Sequence, residues 1–221
     1  MTLATSEKVL RRDAAENRQR LLDAAAAVFS ERGLEAGVDE IARVAGVGMG
    51  TLYRRFPTKD ALISEIVRQL LIDLLAIAKS ALAAPHGEGL EQLLYGTGAV
   101  QASNRGCLAR LWNDDETIIL KQQFRRDLVE LLRLAKLHGR IREDATLTDL
   151  DLMFWAMRGA VETTRGVTDS AWRRILAIML AGLRPGADHL DEPSMTDEEY
   201  THLTAHLNPA RRDPAPHYQA H

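Results

Sequence analysis

A short run of the chain, residues 38–56, carries side chains that could bind a polyanion. Its second half places a hydroxyl on Thr51, a phenol on Tyr53 and guanidiniums on Arg54 and Arg55. So short a segment cannot bury all of these groups, so most of them must project outward. Hydroxyls and guanidiniums are the groups that proteins place on DNA phosphates and base edges. The run therefore predicts a surface that enters the major groove of duplex DNA.

The residues around these side chains have the spacing of two short helices joined by a tight turn, predicted at 38–45 and 49–56. Such a pair needs a small residue at the helix contact, a glycine in the turn and apolar residues that hold the second helix against the first. A glycine-punctuated pair of helices with surface arginines also occurs in ordinary helical proteins, so the spacing alone leaves that alternative open. The residues expected to hold the pair together are Ile41, Ala42, Gly46, Val47, Leu52 and Phe56.

The composition limits the class of protein. The chain has 221 residues, of which 46% are hydrophobic and 27% charged, and this predicts a folded protein with a sizeable core. A single cysteine excludes a disulfide framework. The sequence shows neither the apolar segment of a signal peptide nor an apolar stretch long enough to span a membrane, so we expect a soluble cytoplasmic protein. The net charge of −3 argues against indiscriminate coating of nucleic acid. A DNA surface must therefore be local.

Apolar residues recur at helical period along almost the whole chain, and no run alternates as a half-buried strand would. A long fourth helix is predicted from Thr58, a suitable N-cap, to about residue 84. The sequence therefore predicts an all-α fold.

The C-terminal part is predicted to contain two strong helices, at 148–165 and 170–183, followed by an irregular tail. Thr148 and Asp151 have the spacing of a capping box, and Ser170 is a second candidate cap. Five of the seven prolines lie beyond residue 183, which leaves room for one short helix across 198–207.

Residues 18–63 resemble the N-terminal domain of TetR-family regulators. The resemblance lies in RLLDAAAAVFSERGLEAGVDEIARVAGV followed by GMGTLYRRFPTKDAL. An amphipathic helix, a short second helix, an A-G-V turn and a G-T-L-Y recognition helix follow one another at the family's spacing. The resemblance implies a helix-turn-helix DNA-binding domain at 1–60, a helical effector-binding and dimerisation domain at 61–186, and a tail at 187–221.

The resemblance also implies which residues contact DNA. Thr51 and Tyr53 match contacting positions, Lys59 matches a phosphate-binding lysine, and Gly50 lets the backbone approach closely. Three positions depart from the commonest pattern: Gly48 and Met49 replace a Ser-Lys pair, and Arg55 replaces a histidine. The operator sequence therefore does not carry over from relatives. The candidate DNA contacts are Gly48, Met49, Gly50, Thr51, Tyr53, Arg54, Arg55 and Lys59.

Four arginines before the recognition helix have two open interpretations. They could add phosphate or minor-groove contacts, or they could form a solvated arm. These residues are Arg11, Arg12, Arg18 and Arg20.

For the body, the resemblance implies a homodimer and an effector pocket between helices. The alternatives are that the dimer residues face their own core, that the pocket residues are plain core, and that Arg158 and Glu162 form a surface pair. The predicted dimer residues are Trp172, Leu176, Met179 and Leu183. The predicted pocket residues are Leu70, Leu74, Leu94, Cys107, Leu111, Trp112, Phe124, Phe154, Met157, Arg158, Val161 and Glu162.

The function implied is a repressor that an unknown small molecule releases from a palindromic operator. A TetR-fold activator and a ligand-independent DNA-organising protein remain alternatives. A metal-dependent enzyme is favoured less, since the His202–His206 spacing lacks the glutamate of a metalloprotease motif and the acidic run 114–116 suits a solvated helix start. No cofactor, metal or catalytic residue is predicted, and Cys107 is interpreted as a small core residue.

Overall fold

The computed structural model describes residues 3–110, 117–186 and 190–207, and every regular element in these ranges is a helix. The prediction of an all-α fold is therefore confirmed. The α-helices are α1 (Leu3–Arg32), α2 (Val38–Ala45), α3 (Met49–Arg55), α4 (Lys59–Leu82), α5 (Gly89–Ser103), α6 (Ile118–Leu137), α7 (Leu147–Thr163), α8 (Ala171–Gly182) and α9 (Asp197–Leu207), and two 3₁₀ helices are η1 (Pro85–Gly87) and η2 (Arg105–Arg110).

The first three helices form a compact head. In the part of α1 whose burial is described, from residue 16 onward, Leu21, Ala25 and Phe29 are fully buried. The chain leaves the helix at Gly33, whose φ of +78° favours glycine. Helices α2 and α3 pack below it through Ile41 and other apolar side chains. The head is therefore held by one hydrophobic cluster, which also includes residues of α4.

Helix α4 connects the head to the body. The Thr58 side chain accepts a hydrogen bond from the Ala61 N–H at 3.0 Å, which confirms the predicted cap. The hydrophobic cluster of the head runs along α4 as far as Leu74, and a second cluster begins at Ala78. Helix α4 is therefore embedded in both clusters and joins them physically. The domain boundary at residue 60 stays a prediction.

The caps of α7 and α8 differ from the predictions. The capping box at α7 is formed by Thr146 and Asp149, because the helix begins at Leu147, so the prediction of Thr148 and Asp151 was wrong by two residues. At α8 the Ser170 side chain makes no cap hydrogen bond with the helix.

The short helix predicted in the tail is present as α9, and it packs on the body. The Tyr200 ring stacks on Trp155 at 6.0 Å, and the Arg125 guanidinium lies 4.4 Å from the centre of the Tyr200 ring. Arg125 also pairs with the buried carboxylate of Asp151 at 2.8 Å. Burial raises the pKa of Tyr200 to about 12. Helix α9 is therefore part of the packed body, which the sequence did not predict.

Cys107 lies within η2, and its side chain belongs to the head-side cluster. Burial raises the pKa of its thiol to about 12, so at neutral pH the thiol is protonated. The interpretation of Cys107 as a core residue is confirmed.

Cys107 should therefore resist alkylation in the native protein. Only the thiolate reacts, so we expect iodoacetamide at pH 8 to label the folded chain about a thousandfold more slowly than the unfolded chain. Because the chain has one cysteine, intact-mass spectrometry reads this position alone. Rapid labelling of folded protein would show that the core beside η2 opens readily.

None of the helices in the described ranges combines the length and the apolar composition that crossing a lipid bilayer requires.

Candidate nucleic-acid interface

The turn between α2 and α3 has the geometry of a helix-turn-helix. Helix α2 ends at Gly46, whose φ of +66° lies in the left-handed region, and the Val47 N–H donates to the Ala42 carbonyl at 3.0 Å. Leu52 and Phe56 are buried and hold α3 against the head. The predicted glycine turn and apolar anchors are confirmed, with one shift: Phe56 follows the last residue of α3 in an extended conformation.

The opposite side of α3 faces outward. Tyr53 is 48% exposed, Arg54 and Arg55 are exposed, and Thr51 is half-buried. Met49 is also exposed, and a Cβ atom added at Gly50 would have open space around it. The helix thus presents a phenol and two guanidiniums on one short, anchored element.

Lys59 lies beside this face at the first residue of α4. Its ammonium group lies 5.9 Å from the centre of the Phe29 ring, and the residue is half-buried. The aromatic contact limits the positions of the Lys59 side chain.

Arg18 does not belong to a free arm, in contrast to one of its two interpretations. Its guanidinium pairs with Glu65 of α4 and lies 5.8 Å from the centre of the Phe56 ring. Arg68, and then Arg18, lower the pKa of Glu65, with burial opposing them. Arg18 therefore ties α1 to α4. Arg20 donates to Asn17, and the side chains of Arg11 and Arg12 lie outside the described residues.

A second connection joins the head to the body at the end of α1. A Cβ atom on Gly106 of η2 would lie 2.0 Å from the Phe29 carbonyl oxygen, so the two backbones touch there. Ser30 Oγ donates to the Ser103 carbonyl at 3.3 Å, and Arg165 from the α7–α8 loop donates to the Ser30 carbonyl. We call these contacts the α1–η2 junction.

Most of the predicted dimer residues face the chain's own core. Trp172, Leu176 and Leu183 are buried within the chain's own body, so these three residues follow the alternative in which the stripe faces its own core. Met179 is half-buried, and its place in a dimer interface stays a prediction. The reason for the burial of Trp172 is Gly98 of α5: a Cβ atom there would lie 2.2 Å from the Trp172 ring, so the missing side chain makes room for the indole.

Helices α7 and α8 instead expose a different apolar face. Ile178 is 55% exposed on α8, and Leu152 is 44% exposed on α7. Ile175, Ala156 and Gly159 are also exposed and fall on the same sides of their helices by helical spacing. We call these five residues the α7–α8 face.

The predicted pocket residues divide between the two clusters. Phe124 packs against both, and its ring lies 6.2 Å from that of Phe154. Glu162 is exposed, which favours the alternative of a surface position, and Arg158 one turn before it is half-buried. Leu111 and Trp112 lie outside the described residues. Leu70, Leu74 and Cys107 lie in the head-side cluster, and Leu94, Phe154, Met157 and Val161 lie in the body cluster.

Two buried polar residues beside these, Thr97 and Gln101 of α5, were not among the predicted pocket residues. The sequence carries a signal for them: two polar residues four apart interrupt the apolar side of α5.

A cavity of about 380 Å³ lies elsewhere, between η1, α6 and the end of α8, so it does not coincide with the predicted pocket. Among the described residues, no group of three His, Cys, Asp or Glu side chains could hold a metal ion.

A helix-turn-helix with an exposed second helix, carried on a helical body, is typical of a DNA-binding regulator of the helix-turn-helix class.

Comparison with known proteins identifies the family. The model for bacterial regulatory proteins of the tetR family matches residues 21–66. A TetR transcriptional regulator from Streptomyces coelicolor is 34% identical, with 77% of this chain and 99% of that chain covered and a TM-score of 0.57. A TetR regulatory protein from Mycobacterium vanbaalenii is 31% identical, with 79% and 99% covered and a TM-score of 0.55. This chain belongs to the TetR family of transcriptional regulators.

Two further likenesses are more limited, the first in length and the second in sequence identity. A helix-turn-helix transcriptional regulator of Staphylococcus aureus is 43% identical over 61 residues, which are 27% of this chain and 33% of that protein. The chain thus matches about a third of the length of its curated relatives. LfrR from Mycobacterium smegmatis, solved in complex with proflavine, shares the fold at 19% identity, with 80% and 98% covered and a TM-score of 0.57.

Proposed function

We propose that the protein is a homodimeric repressor that binds a palindromic operator and leaves it when a small molecule binds the body. The observation that carries the proposal is the exposed side of α3, where Tyr53, Arg54 and Arg55 project from a helix anchored by Leu52.

The DNA contacts in this proposal come mainly from α3. The two guanidiniums suit phosphates or guanine edges, and the Tyr53 hydroxyl suits a phosphate oxygen. Lys59 adds a charge beside them. Since residues 1–60 carry ten Lys and Arg against nine Asp and Glu, affinity depends on this local placement more than on total charge.

Dimerisation in this proposal uses the α7–α8 face. Ile178 and Leu152 are large apolar side chains exposed on neighbouring helices, and Gly159 lets a second helix approach closely. Two copies of this helix pair make a four-helix bundle that buries the exposed apolar side chains. A two-fold dimer then reads two half-sites about 34–36 Å apart, or a further turn apart.

Release by an effector requires a physical link between body and head. Two links support it: α4, which is buried in both hydrophobic clusters, and the α1–η2 junction. LfrR, which shares the fold, gives a precedent for a small molecule held by this architecture. An effector that binds the DNA-free conformation more tightly shifts the population away from DNA, typically by about 1–3 kcal/mol of coupling.

Two tests address the proposal as a whole. Selection of genomic fragments by the purified protein, followed by footprinting, should yield a two-fold symmetric site. Deletion of the gene should raise expression of a reporter driven from that site. A fall in expression would identify an activator instead, and no selected site would contradict the DNA-binding proposal.

Tyr53→Phe and Arg55→Ala should each weaken operator binding roughly tenfold, because each removes a contact to DNA and leaves the packed side of α3 untouched. Loss of a charged phosphate contact at Arg55 should also lower the slope of log affinity against log salt by about one. Arg133→Ala is the matched control, since Arg133 is an exposed arginine on α6 of the body. Equal affinities for all four proteins would remove these side chains from the interface.

Gly50→Ala should separate stability from binding. The added methyl group meets nothing in the free protein, and alanine favours a helix over glycine, so the free energy of unfolding should rise by about 0.5–1 kcal/mol. Operator affinity should fall, because the methyl group stands where the backbone approaches DNA. Thermal unfolding and operator titration measure the two effects, and unchanged affinity would place Gly50 away from the duplex.

A further inference from the structure

We propose that Thr97 and Gln101 of α5 are the polar anchors of a buried site for an uncharged, largely apolar small molecule that carries a hydroxyl or N–H hydrogen-bond donor. The inference rests on the proposed function, since it assigns the chemistry of the effector that the body would bind.

Both side chains are buried while part of their hydrogen-bonding capacity is unused. Thr97 is 3% exposed and Gln101 is 6% exposed. Within the described residues, Thr97 Oγ1 and Gln101 Oε1 have no hydrogen-bond partner. The Gln101 amide nitrogen donates a long hydrogen bond of 3.4 Å to the Phe154 carbonyl, which fixes the side chain toward α7.

The pairing of these two residues points to one site. Residues four apart lie on the same side of a helix, so Thr97 and Gln101 are neighbours on α5. Burying polar atoms without partners destabilises a fold, and such atoms in native proteins are commonly found where a ligand or water completes their bonds. An amide oxygen only accepts, so the ligand group that meets Gln101 must donate.

The surroundings of this pair are apolar. Gln101 reaches the backbone carbonyl of Phe154 on α7, and the Phe154 side chain belongs to the body cluster, where its ring lies 6.2 Å from that of Phe124 on α6. Phe124 is half-buried between the two hydrophobic clusters. The ligand therefore needs an apolar or aromatic body beside its donor group.

Charge selects against ions. Among the described residues, Asp151 is the one charged residue that is buried. Its carboxylate already pairs with Arg125 at 2.8 Å. An ionised ligand at Gln101 would lose its hydration without a fully buried counter-charge beside it, since Arg158, one turn after Phe154 on α7, is only half-buried. The site therefore favours a molecule that is neutral at physiological pH.

The position of the site also connects it to the head. Gln101 lies in the last turn of α5, and Ser103 and Gly106, which follow it, belong to the α1–η2 junction. A ligand that shifts the end of α5 would therefore act on α1 directly, alongside its effect through α4.

The test uses three matched probes that differ in one group: para-cresol, its methyl ether and para-toluate. Binding to the full-length protein is measured by ligand-observed NMR. We expect para-cresol to bind several-fold more tightly than the ether and the carboxylate to bind most weakly. Thr97→Val and Gln101→Met should reduce the preference for the phenol over the ether to about one.

Thr148→Val supplies the matched control, because Thr148 is an equally buried threonine whose hydroxyl donates to the Met195 carbonyl at 2.7 Å. Thr148→Val should lower the unfolding temperature and leave the preference for the phenol over the ether unchanged. Thr97→Val should not lower the unfolding temperature. No binding of either neutral probe up to its solubility limit, or an unchanged preference in both α5 variants, overturns the proposal. Operator titration of the same proteins is read separately, so loss of the site and loss of the repressor function are distinguishable.

Discussion

Ile178→Asp should convert the protein from a dimer to a monomer and abolish tight operator binding. Ile178 is the most exposed large apolar residue of the α7–α8 face, and two copies of the substitution would bring carboxylates into the proposed helix bundle, where they lose hydration. A monomer engages one half-site at a time, so operator affinity should fall about a hundredfold or more through loss of effective concentration. Sedimentation velocity and operator titration measure the two effects.

The control for this substitution is Val129→Asp on α6. Val129 is 49% exposed, close to the exposure of Ile178, and it lies away from the α7–α8 face. The Val129→Asp protein should remain dimeric and bind the operator as the unmodified protein does. A dimer that persists in Ile178→Asp, or one that both substitutions break equally, would contradict the assignment of this face.

Gly106→Ala should loosen the head from the body and lower stability. Its methyl group would lie 2.0 Å from the Phe29 carbonyl oxygen and 2.2 Å from the carbonyl carbon, and a backbone cannot give way as a flexible side chain can. The end of α1 must therefore move away from η2, which we expect to cost about 1–3 kcal/mol and to lower the melting temperature by about 5 °C.

Two further measurements should show that the loss of stability in Gly106→Ala comes from displacement at the α1–η2 junction. Iodoacetamide should label Cys107 faster, because the 3₁₀ helix that carries this residue is displaced. Operator affinity should change with the position of the head, whereas Gly50→Ala, whose methyl group has open space, should not lower stability. Full stability in Gly106→Ala would mean that the α1–η2 junction yields without cost and does not hold the head.

Local signals made the head predictable. Helix α2 was predicted at its observed bounds and α3 to within one residue, because Gly46, Thr58 and Pro57 act on the few residues beside them. The cap of α7 was misplaced for a related reason: Thr146 and Thr148 are both followed three residues later by an aspartate, and the local pattern alone does not choose between them.

The side of α8 that faces outward was not predictable in the same way. Apolar residues at helical spacing serve equally well for a chain's own core and for a partner, so the spacing alone does not show that Trp172 and Leu176 face the chain's own core. The choice is made by Gly98, distant in sequence, which leaves room for the indole.

By itself the sequence determined the all-α class, the helix-turn-helix and the residues on its recognition helix, because each depends on periodicity and on glycine, proline and capping residues within one or two turns. Only the tertiary structure decided that Arg18 is held by Glu65, that Ile178 rather than Trp172 is exposed, and that Thr97 and Gln101 are buried together. These outcomes depend on which surfaces, distant in sequence, pack against each other. The spacing of apolar residues along a helix does not specify the element against which that helix packs.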